Sequence, residues 1–294
     1  MEEIEFIRTA LFVPGNRPDR IDKAVDTAAD VIIIDLEDAV PHALKKEVRP
    51  GVRKKIIQHK NRKLFVRVNA LDSGYIRGDL DEAALEELSG LVVPKVETAE
   101  HIQEIHRLLL EVEQKKGIQP GRLKIVPLIE TALAIENAFQ IVSERTEPER
   151  LLTAAFGAAD FALDMGIEIT KSGEELSYSR ARLAVACRAA KIDPPLDTPF
   201  MIDLKDLHAL EEDAQRARQL GFQGKLCVHP NQIEICNRIF SPTGEEIAFA
   251  KKVVEAFNQA EADGLAAIQV EDKLIDYPMV EHAKRILKIA GKEL

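Results

Sequence analysis

Two acidic side chains follow neighbouring apolar segments of the chain. Glu130 comes directly after the run Ile125–Ile129, and Asp160 follows the run Leu151–Phe156 after three small residues. If these runs are adjacent strands, which lie about 5 Å apart, the two carboxylates can bind one hard divalent cation. Mg2+ commonly uses one or two protein carboxylates and completes its shell with water and substrate oxygens. The pattern favours a magnesium site, although both acids could instead cap a helix or a turn, as could Asp164.

Arg67 is a third candidate, because it follows the apolar run Leu64–Val66. A guanidinium offers a planar fork for bidentate binding of a carboxylate. It can also stabilise an oxygen on which negative charge develops. A salt bridge to the acidic stretch at residues 35–38 is the alternative, and the two roles are compatible.

Three acids, Asp35, Glu37 and Asp38, follow another apolar run. In extended chain Asp35 and Glu37 point to one side and Asp38 to the other. We expect one of these acids to hold Arg67 or Lys95, or a metal-bound water. Asp35 and Glu37 are therefore candidate catalytic residues.

Five further residues at or just beyond predicted strand ends are considered. Lys95 is a candidate for substrate binding; a Schiff-base lysine is the alternative, which the two candidate metal ligands disfavour. Asn16 and Arg17 in the first loop are also candidates for substrate binding, whereas Arg20 could equally form a surface ion pair. His229 could be structural or catalytic.

Eight short apolar runs precede these residues and alternate with stretches of helical periodicity. Such runs are typical of strands buried on both faces, and the alternation is typical of βα units. We therefore predict a TIM (β/α)8 barrel, in which the C-terminal strand ends form the rim of the active site. The predicted strands are Leu11–Pro14, Val31–Ile34, Leu64–Val66, Leu91–Pro94, Ile125–Ile129, Leu151–Phe156, Pro199–Ile202 and Lys225–Val228. The predicted helices are Pro18–Ala29, Leu44–Gln58, Asp79–Leu88, Thr98–Lys115, Thr131–Ser143, Tyr178–Ala190 and Leu204–Leu220.

The chain continues beyond a barrel that is complete by about His229. We predict a catalytic barrel at residues 1–240 and a C-terminal extension at residues 241–294. The extension should contain a helix at Glu245–Asp263, a small hairpin, and a helix at Pro278–Lys288. Its apolar positions, such as Val253 and Phe257, need a surface to cover, which suggests docking at a subunit interface.

Composition excludes several classes of function. The 294 residues include 50 acids and 40 bases, giving a formal net charge of -10. An acidic surface argues against nucleic acid as the main partner, because phosphate binding requires a basic footprint. No apolar run approaches the length of a membrane span, and no signal-peptide pattern is present. Three cysteines fit a reduced setting, so we expect a cytoplasmic protein without a membrane partner.

Seven segments follow one another in a recognisable order: RTALFVPGNRPDRIDKA, VIIIDLEDAVP, FVRVNA, GLVVPKVE, VPLIET, FGAADFALDMG and KLCVHPNQI. They resemble the citrate lyase β-subunit-like proteins, the acyl-CoA lyase branch of the HpcH/HpaI aldolase/citrate lyase superfamily. The match runs from Arg8 to the LIDYP segment around Asp276.

The resemblance implies a TIM barrel with a C-terminal helical extension, assembled as a homotrimer or a hexamer. It implies that Glu130 and Asp160 bind Mg2+ and that Arg67 faces the substrate carboxylate. It also implies that Asp276 from a neighbouring subunit covers the site, where it would serve as a catalytic acid or base.

The implied reaction is the Mg2+-dependent cleavage or formation of a C–C bond in 3-hydroxy-carboxyacyl-CoA thioesters, such as citryl-CoA, malyl-CoA or citramalyl-CoA. Two alternatives are a malyl-CoA-type thioesterase or synthase in the same site, and an acyl-carrier-protein-dependent citrate lyase β subunit working in a complex. Ala159 stands where many relatives carry an acid, which suggests an altered substrate choice rather than loss of the metal.

Overall fold

The computed structural model describes residues 6–262 and 264–291 of the chain. The chain forms two compact units that divide between Asn237 and Arg238. The boundary predicted at residue 240 lies at the end of the helix that spans this division, Ile233–Phe240. In the described residues, no helix is long and apolar enough to cross a membrane.

Eight parallel strands close into a barrel in chain order, which confirms the predicted TIM barrel. Branched and aromatic side chains, among them Ile33, Phe65 and Val126, fill its interior. The carboxyl ends of the strands meet at one rim, so residues scattered along the sequence come together there. The strands are β1 Thr9–Pro14, β2 Val31–Asp35, β3 Leu64–Arg67, β4 Gly90–Val93, β5 Lys124–Ile129, β6 Ala155–Phe156, β7 Leu196–Asp197 and β8 Gly224–Cys227.

Helices surround the barrel close to most of the predicted positions. The helix predicted at Thr131–Ser143 is two helices that meet at Asn137. Two helices, at Ala158–Met165 and Ile233–Phe240, were not predicted. The helices up to residue 240 are α1 Pro18–Val25, α2 Lys45–Gln58, α3 Ile76–Ala83, α4 Ala99–Lys116, α5 Ala132–Glu136, α6 Ala138–Ser143, α7 Ala158–Met165, α8 Ser177–Ala190, α9 Leu207–Gln219 and α10 Ile233–Phe240.

The position predicted for the seventh strand was wrong. The observed strand β7 is Leu196–Asp197, whereas the predicted segment Pro199–Ile202 follows it and pairs with no strand. Asp197 is completely buried, and both Arg180 and Lys225 form salt bridges with it. Because β7 has only two residues and one of them is a salt-bridged aspartate, it contains no apolar run by which a strand could be predicted.

The second unit contains α11 (Gly244–Ala262), the antiparallel hairpin β9–β10 (Ala267–Val270 and Lys273–Asp276) and α12 (Tyr277–Ile289). These elements confirm the predicted helices and hairpin, although the predicted helix end at Asp263 lies outside the described residues.

The apolar positions of this unit pack on one another. Val253, Phe257 and Ile275 form its own core together with Leu287. The sequence-based assumption that they need an external surface to cover was therefore wrong. A location of this unit at a subunit interface stays a prediction.

Candidate active site

A cavity of about 420 Å3 opens at the C-terminal ends of the barrel strands. The predicted residues Asp35, Arg67, Glu130 and Asp160 all line it. Apolar side chains, including Phe12 from β1, line much of the remainder. The barrel thus brings these four charged residues to one site, as the strand-end pattern predicted.

The two candidate metal ligands reach this cavity by different routes. Glu130 directly follows β5 and is almost fully buried, at 2% exposure. Asp160 does not end a strand; it lies in the first turn of α7, four residues beyond β6. Because β5 and β6 are paired at Ile129 and Phe156, Glu130 and the start of α7 are adjacent.

Glu130 occupies an electrostatically unfavourable position. Burial, and then the nearby charge of Asp160, raises the pKa of Glu130 from an ordinary 4.5 to about 8. The backbone N–H of Lys95 donates to Glu130 Oε1 at 2.8 Å and opposes this shift. Gly157 leaves space beside the carboxylate, since a Cβ there would collide with Glu130 Oε2.

This arrangement fits Mg2+. A divalent cation would neutralise the repulsion between Glu130 and Asp160, and two carboxylates are the usual protein share of a magnesium shell. In the described residues, no three His, Cys, Asp or Glu side chains are grouped as metal ligands. Two protein carboxylates would leave the other coordination positions to water and substrate oxygens. The assignment of Glu130 and Asp160 as ligands stays a prediction.

Arg67 is held mainly by one acid. Its Nε donates to Asp35 Oδ1 at 2.7 Å, and its Nη2 donates to Asp35 Oδ2 at 2.6 Å. The third nitrogen, Nη1, lies 3.2 Å from Asp38 Oδ2 on the exposed side. The guanidinium carbon also lies 5.0 Å from the centre of the Phe12 ring, within cation–π range. The fork is thus oriented before any substrate arrives.

Glu37 is a second buried acid beside Arg67. Burial raises the pKa of Glu37 to about 7, although the charge of Arg67 opposes the shift. Glu37 Oε2 is 3.0 Å from Arg67 Nη1 but outside hydrogen-bond geometry, so this buried oxygen has an ionic contact and, among the residues that the structure describes, no hydrogen bond. The structure therefore associates Glu37 with Arg67, as one of the sequence interpretations stated.

Lys95 has an unusual backbone, with φ at +54°. Its Nζ lies 3.5 Å from Glu37 Oε1. Burial lowers the pKa of Lys95, but Glu37 and Asp160 outweigh that effect and raise it overall. An amine nucleophile requires a lowered pKa, so the surroundings disfavour a Schiff-base role.

The first loop lies beside a second cavity of about 460 Å3, which shares Phe12 and Arg20 with the first. Arg17 and His229 line this second cavity. Arg17 forms an exposed salt bridge with Asp19, and His229 caps a short turn. Their roles in substrate binding or catalysis stay predictions.

Asn16 does not line either cavity. Its Oδ1 is buried and has no hydrogen-bond partner among the described residues. Substrate binding by Asn16 stays a prediction.

Two neighbours of Asp160 have distinct positions. Asp164 Oδ2 accepts the backbone N–H of Ala132 at 2.8 Å, so it caps α5, as the sequence analysis considered. Ala159 is exposed and lines the first cavity. Its small side chain leaves that part of the rim open.

Asp276 belongs to the second unit, where it precedes α12. Its Oδ1 accepts the backbone N–H of Met279 at 3.3 Å, an N-terminal cap. The exposed side chains Leu274 and Tyr277 flank it. A catalytic role in a neighbouring subunit stays a prediction.

Sequence reasoning missed a residue that shapes the rim. Lys45 is buried, and its Nζ donates to the backbone oxygens of Leu36 and Glu37 at 3.0 and 2.7 Å and to Asn69 Oδ1. It thereby fixes the loop that carries the acids around Arg67. A lysine at the start of a helix usually lies in solvent, so no sequence signal pointed to it.

Comparisons with known proteins agree with this geometry. The model of the HpcH/HpaI aldolase/citrate lyase family matches residues 8–230. The chain belongs to this family. It is 34% identical to the citrate lyase subunit beta of Leuconostoc mesenteroides subsp. cremoris, over 97% of this chain and 93% of that protein. It is 30% identical to the L-malyl-CoA/beta-methylmalyl-CoA lyase of Rhodobacter capsulatus, over 96% of this chain and 94% of that enzyme.

A solved relative has the same architecture. The protein CitE of Mycobacterium tuberculosis, in complex with magnesium, acetoacetate and coenzyme A, superposes with a TM-score of 0.78 at 27% identity. The alignment covers 98% of this chain and 99% of that one. The likeness to this structure therefore covers both the barrel and the second unit.

Proposed function

We propose that this protein is a Mg2+-dependent carbon–carbon lyase acting on 3-hydroxy-carboxyacyl-CoA thioesters such as citryl-CoA, malyl-CoA or citramalyl-CoA. One observation carries the proposal: a single rim cavity holds the carboxylates of Glu130 and Asp160 and the pre-oriented guanidinium of Arg67. A relative named as a malyl-CoA lyase and a solved relative with magnesium and coenzyme A support it.

Glu130 and Asp160 would hold the metal. When bound, Mg2+ would supply Lewis-acid polarisation of the substrate carboxylate and hydroxyl. Because Glu130 is buried, the local dielectric constant is low, and the attraction between this carboxylate and a cation is strong.

Arg67 would bind the oxygen on which charge develops. Asp35 occupies Nε and one N–H of Nη2, which leaves the other N–H of Nη2 for a substrate oxygen. The exposed contact between Nη1 and Asp38 is the one that a substrate carboxylate could displace most easily. Donors placed in this way lower the barrier because they need no reorganisation during the reaction.

The second cavity would receive the nucleotide end of coenzyme A. Arg17, Arg20 and Lys23 line it, and it joins the first cavity along Phe12 and Val13. Basic side chains complement phosphate groups. A local basic cluster on an otherwise acidic chain is consistent with a small anionic ligand rather than a nucleic acid.

A second copy of the chain would complete the site. We place Asp276 of a neighbouring subunit over the rim as the acid or base that moves the proton of the substrate hydroxyl. Large apolar side chains remain exposed on α5, α7 and α8, including Leu133, Leu163 and Val185, the second of them 80% exposed. Such a surface is typical of an interface and supports association of several copies, which we propose to be a homotrimer or a hexamer.

A turnover assay with the isolated full-length chain tests the proposal. Citryl-, malyl- and citramalyl-CoA are each supplied with Mg2+, and the released 2-oxo acid and acyl-CoA are measured together. Cleavage that Glu130→Gln abolishes would support the lyase. Free CoA without 2-oxo acid would indicate a thioesterase, and activity only on a carrier-linked acyl group would indicate a complex-dependent β subunit.

A further inference from the structure

Asp160 depends on its helix for its position. No side-chain hydrogen bond holds its carboxylate among residues 6–262 and 264–291. Its place is therefore set by the first turn of α7, in which it is the third residue. Whatever anchors that turn also positions the carboxylate.

The start of α7 has no cap of its own. The N-cap residue is Gly157, which has no side chain, and the first backbone N–H groups of a helix lack partners within it. The N–H of Ala158 donates instead to Thr198 Oγ1 at 3.1 Å. Ala158 and Thr198 are both buried, at 1% and 4% exposure. Removal of the hydroxyl would leave this buried N–H without its protein partner.

Thr198 is itself firmly placed. It follows Asp197 of β7, and Arg180 binds both oxygens of Asp197 at 2.9 Å. Lys225 also contacts Asp197, and Asp213 accepts from both cations. These two buried acids and two buried bases pair with one another, and their ion pairs fix the backbone that carries the Thr198 hydroxyl.

We propose that Thr198 is a positioning residue for metal binding: its hydroxyl anchors α7 and so sets Asp160 against Glu130. The inference rests on the proposed function, because it assumes that this pair binds Mg2+. Thr198 acts through the helix, not through contact with the metal. Partners that orient metal ligands typically contribute about 10- to 100-fold to metal affinity.

The test compares three variants of the full chain by direct Mn2+ binding, measured by electron paramagnetic resonance without substrate. Thr198→Val keeps nearly the same volume but removes the acceptor, whereas Thr198→Ser keeps it. Thr9→Val is the matched control, because Thr9 is a completely buried threonine at the N-terminal end of β1, away from the active-site rim. Thermal melting confirms that each variant is folded.

We expect Thr198→Val to raise the Kd for Mn2+ about tenfold or more, with the Mg2+ concentration for half-maximal activity rising in parallel. Thr198→Ser should stay within about twofold of the wild type, and Thr9→Val should bind Mn2+ normally even if it melts earlier. Hydrogen exchange of segment 157–165 should accelerate in Thr198→Val alone.

Each other outcome overturns the inference. Normal Mn2+ affinity in Thr198→Val, with or without a change in KM, would show that Thr198 does not position the ligand. Weakened Mn2+ binding without faster exchange in segment 157–165 would show that it acts by another route. If the wild type binds no Mn2+, the metal site of the proposed function fails, and the role of Thr198 fails with it.

Discussion

The substitution Glu130→Gln should show how much stability the ionised Glu130 carboxylate costs the folded protein, and whether this carboxylate binds Mg2+. The pKa of Glu130 rises from 4.5 to about 8 in the folded protein because of burial and Asp160. At about 1.4 kcal/mol per pH unit, this difference corresponds to an upper bound of about 5 kcal/mol. Between these two pH values the folded protein binds a proton that the unfolded chain does not. Stability is therefore retained at low pH and lost as the pH rises through 8.

Without metal, the wild-type protein should lose several kcal/mol of stability between pH 5 and pH 9, whereas Glu130→Gln should lose much less. At about 2 °C per kcal/mol for a chain of this size, the difference in Tm approaches about 10 °C at pH 9. Mg2+ should reverse the loss in the wild type only, because it replaces the proton at Glu130.

The assay is thermal melting from pH 5 to pH 9 in chelator and then in excess Mg2+. Glu255→Gln, which changes an exposed carboxylate of α11, is the control and should follow the wild type. Parallel pH profiles for the wild type and Glu130→Gln would refute the electrostatic reasoning. Equal stabilisation of both by Mg2+ would refute the ligand assignment.

Four further outcomes are expected. Gly157→Ala places a Cβ against the Glu130 carboxylate; we expect at least about tenfold weaker Mg2+ activation, and unchanged activation in a metal titration would show that the carboxylate can move away. Arg67→Lys keeps the charge but loses the fork, so kcat/KM should fall about 100-fold or more; a collapse of Tm with normal specific activity in the folded fraction would make Arg67 structural. Mixing inactive Asp276→Ala with inactive Arg67→Ala should restore activity in mixed oligomers; if subunit exchange is demonstrated and none returns, Asp276 does not act across subunits. Asp272 has a φ of +61° in the hairpin turn, so Asp272→Gly should stabilise the second unit by about 0.5–1 kcal/mol; a lower melting temperature in calorimetry would contradict this.

The sequence predicted the barrel well because most strands are buried on both faces and so appear as unbroken apolar runs. The same logic placed Arg67 and Glu130 correctly, since each directly follows its run. It failed at β7, where Asp197 is neutralised by partners distant in sequence. It also missed α7, so Asp160 was assigned to a strand end when it lies on a helix.

The residues that sequence reasoning missed share a physical cause. Lys45 and Thr198 act through hydrogen bonds to distant backbone groups, and such pairings leave no periodic pattern. In the second unit the sequence suggested a partner surface that is not required, because Phe257 and Ile275 belong to the same core. Amphipathic periodicity shows that a face is covered, but not what covers it.

The left-handed backbone at Lys95 sets a limit on engineering this protein. An L residue in that conformation costs about 1 kcal/mol relative to glycine, so selection for stability alone would favour Lys95→Gly. Glycine would keep the N–H that donates to Glu130 and would lose the ammonium group beside Glu37. A stabilised variant found in this way would therefore carry one positive charge fewer beside the active-site rim, and a weaker affinity for anionic substrates would reveal that loss.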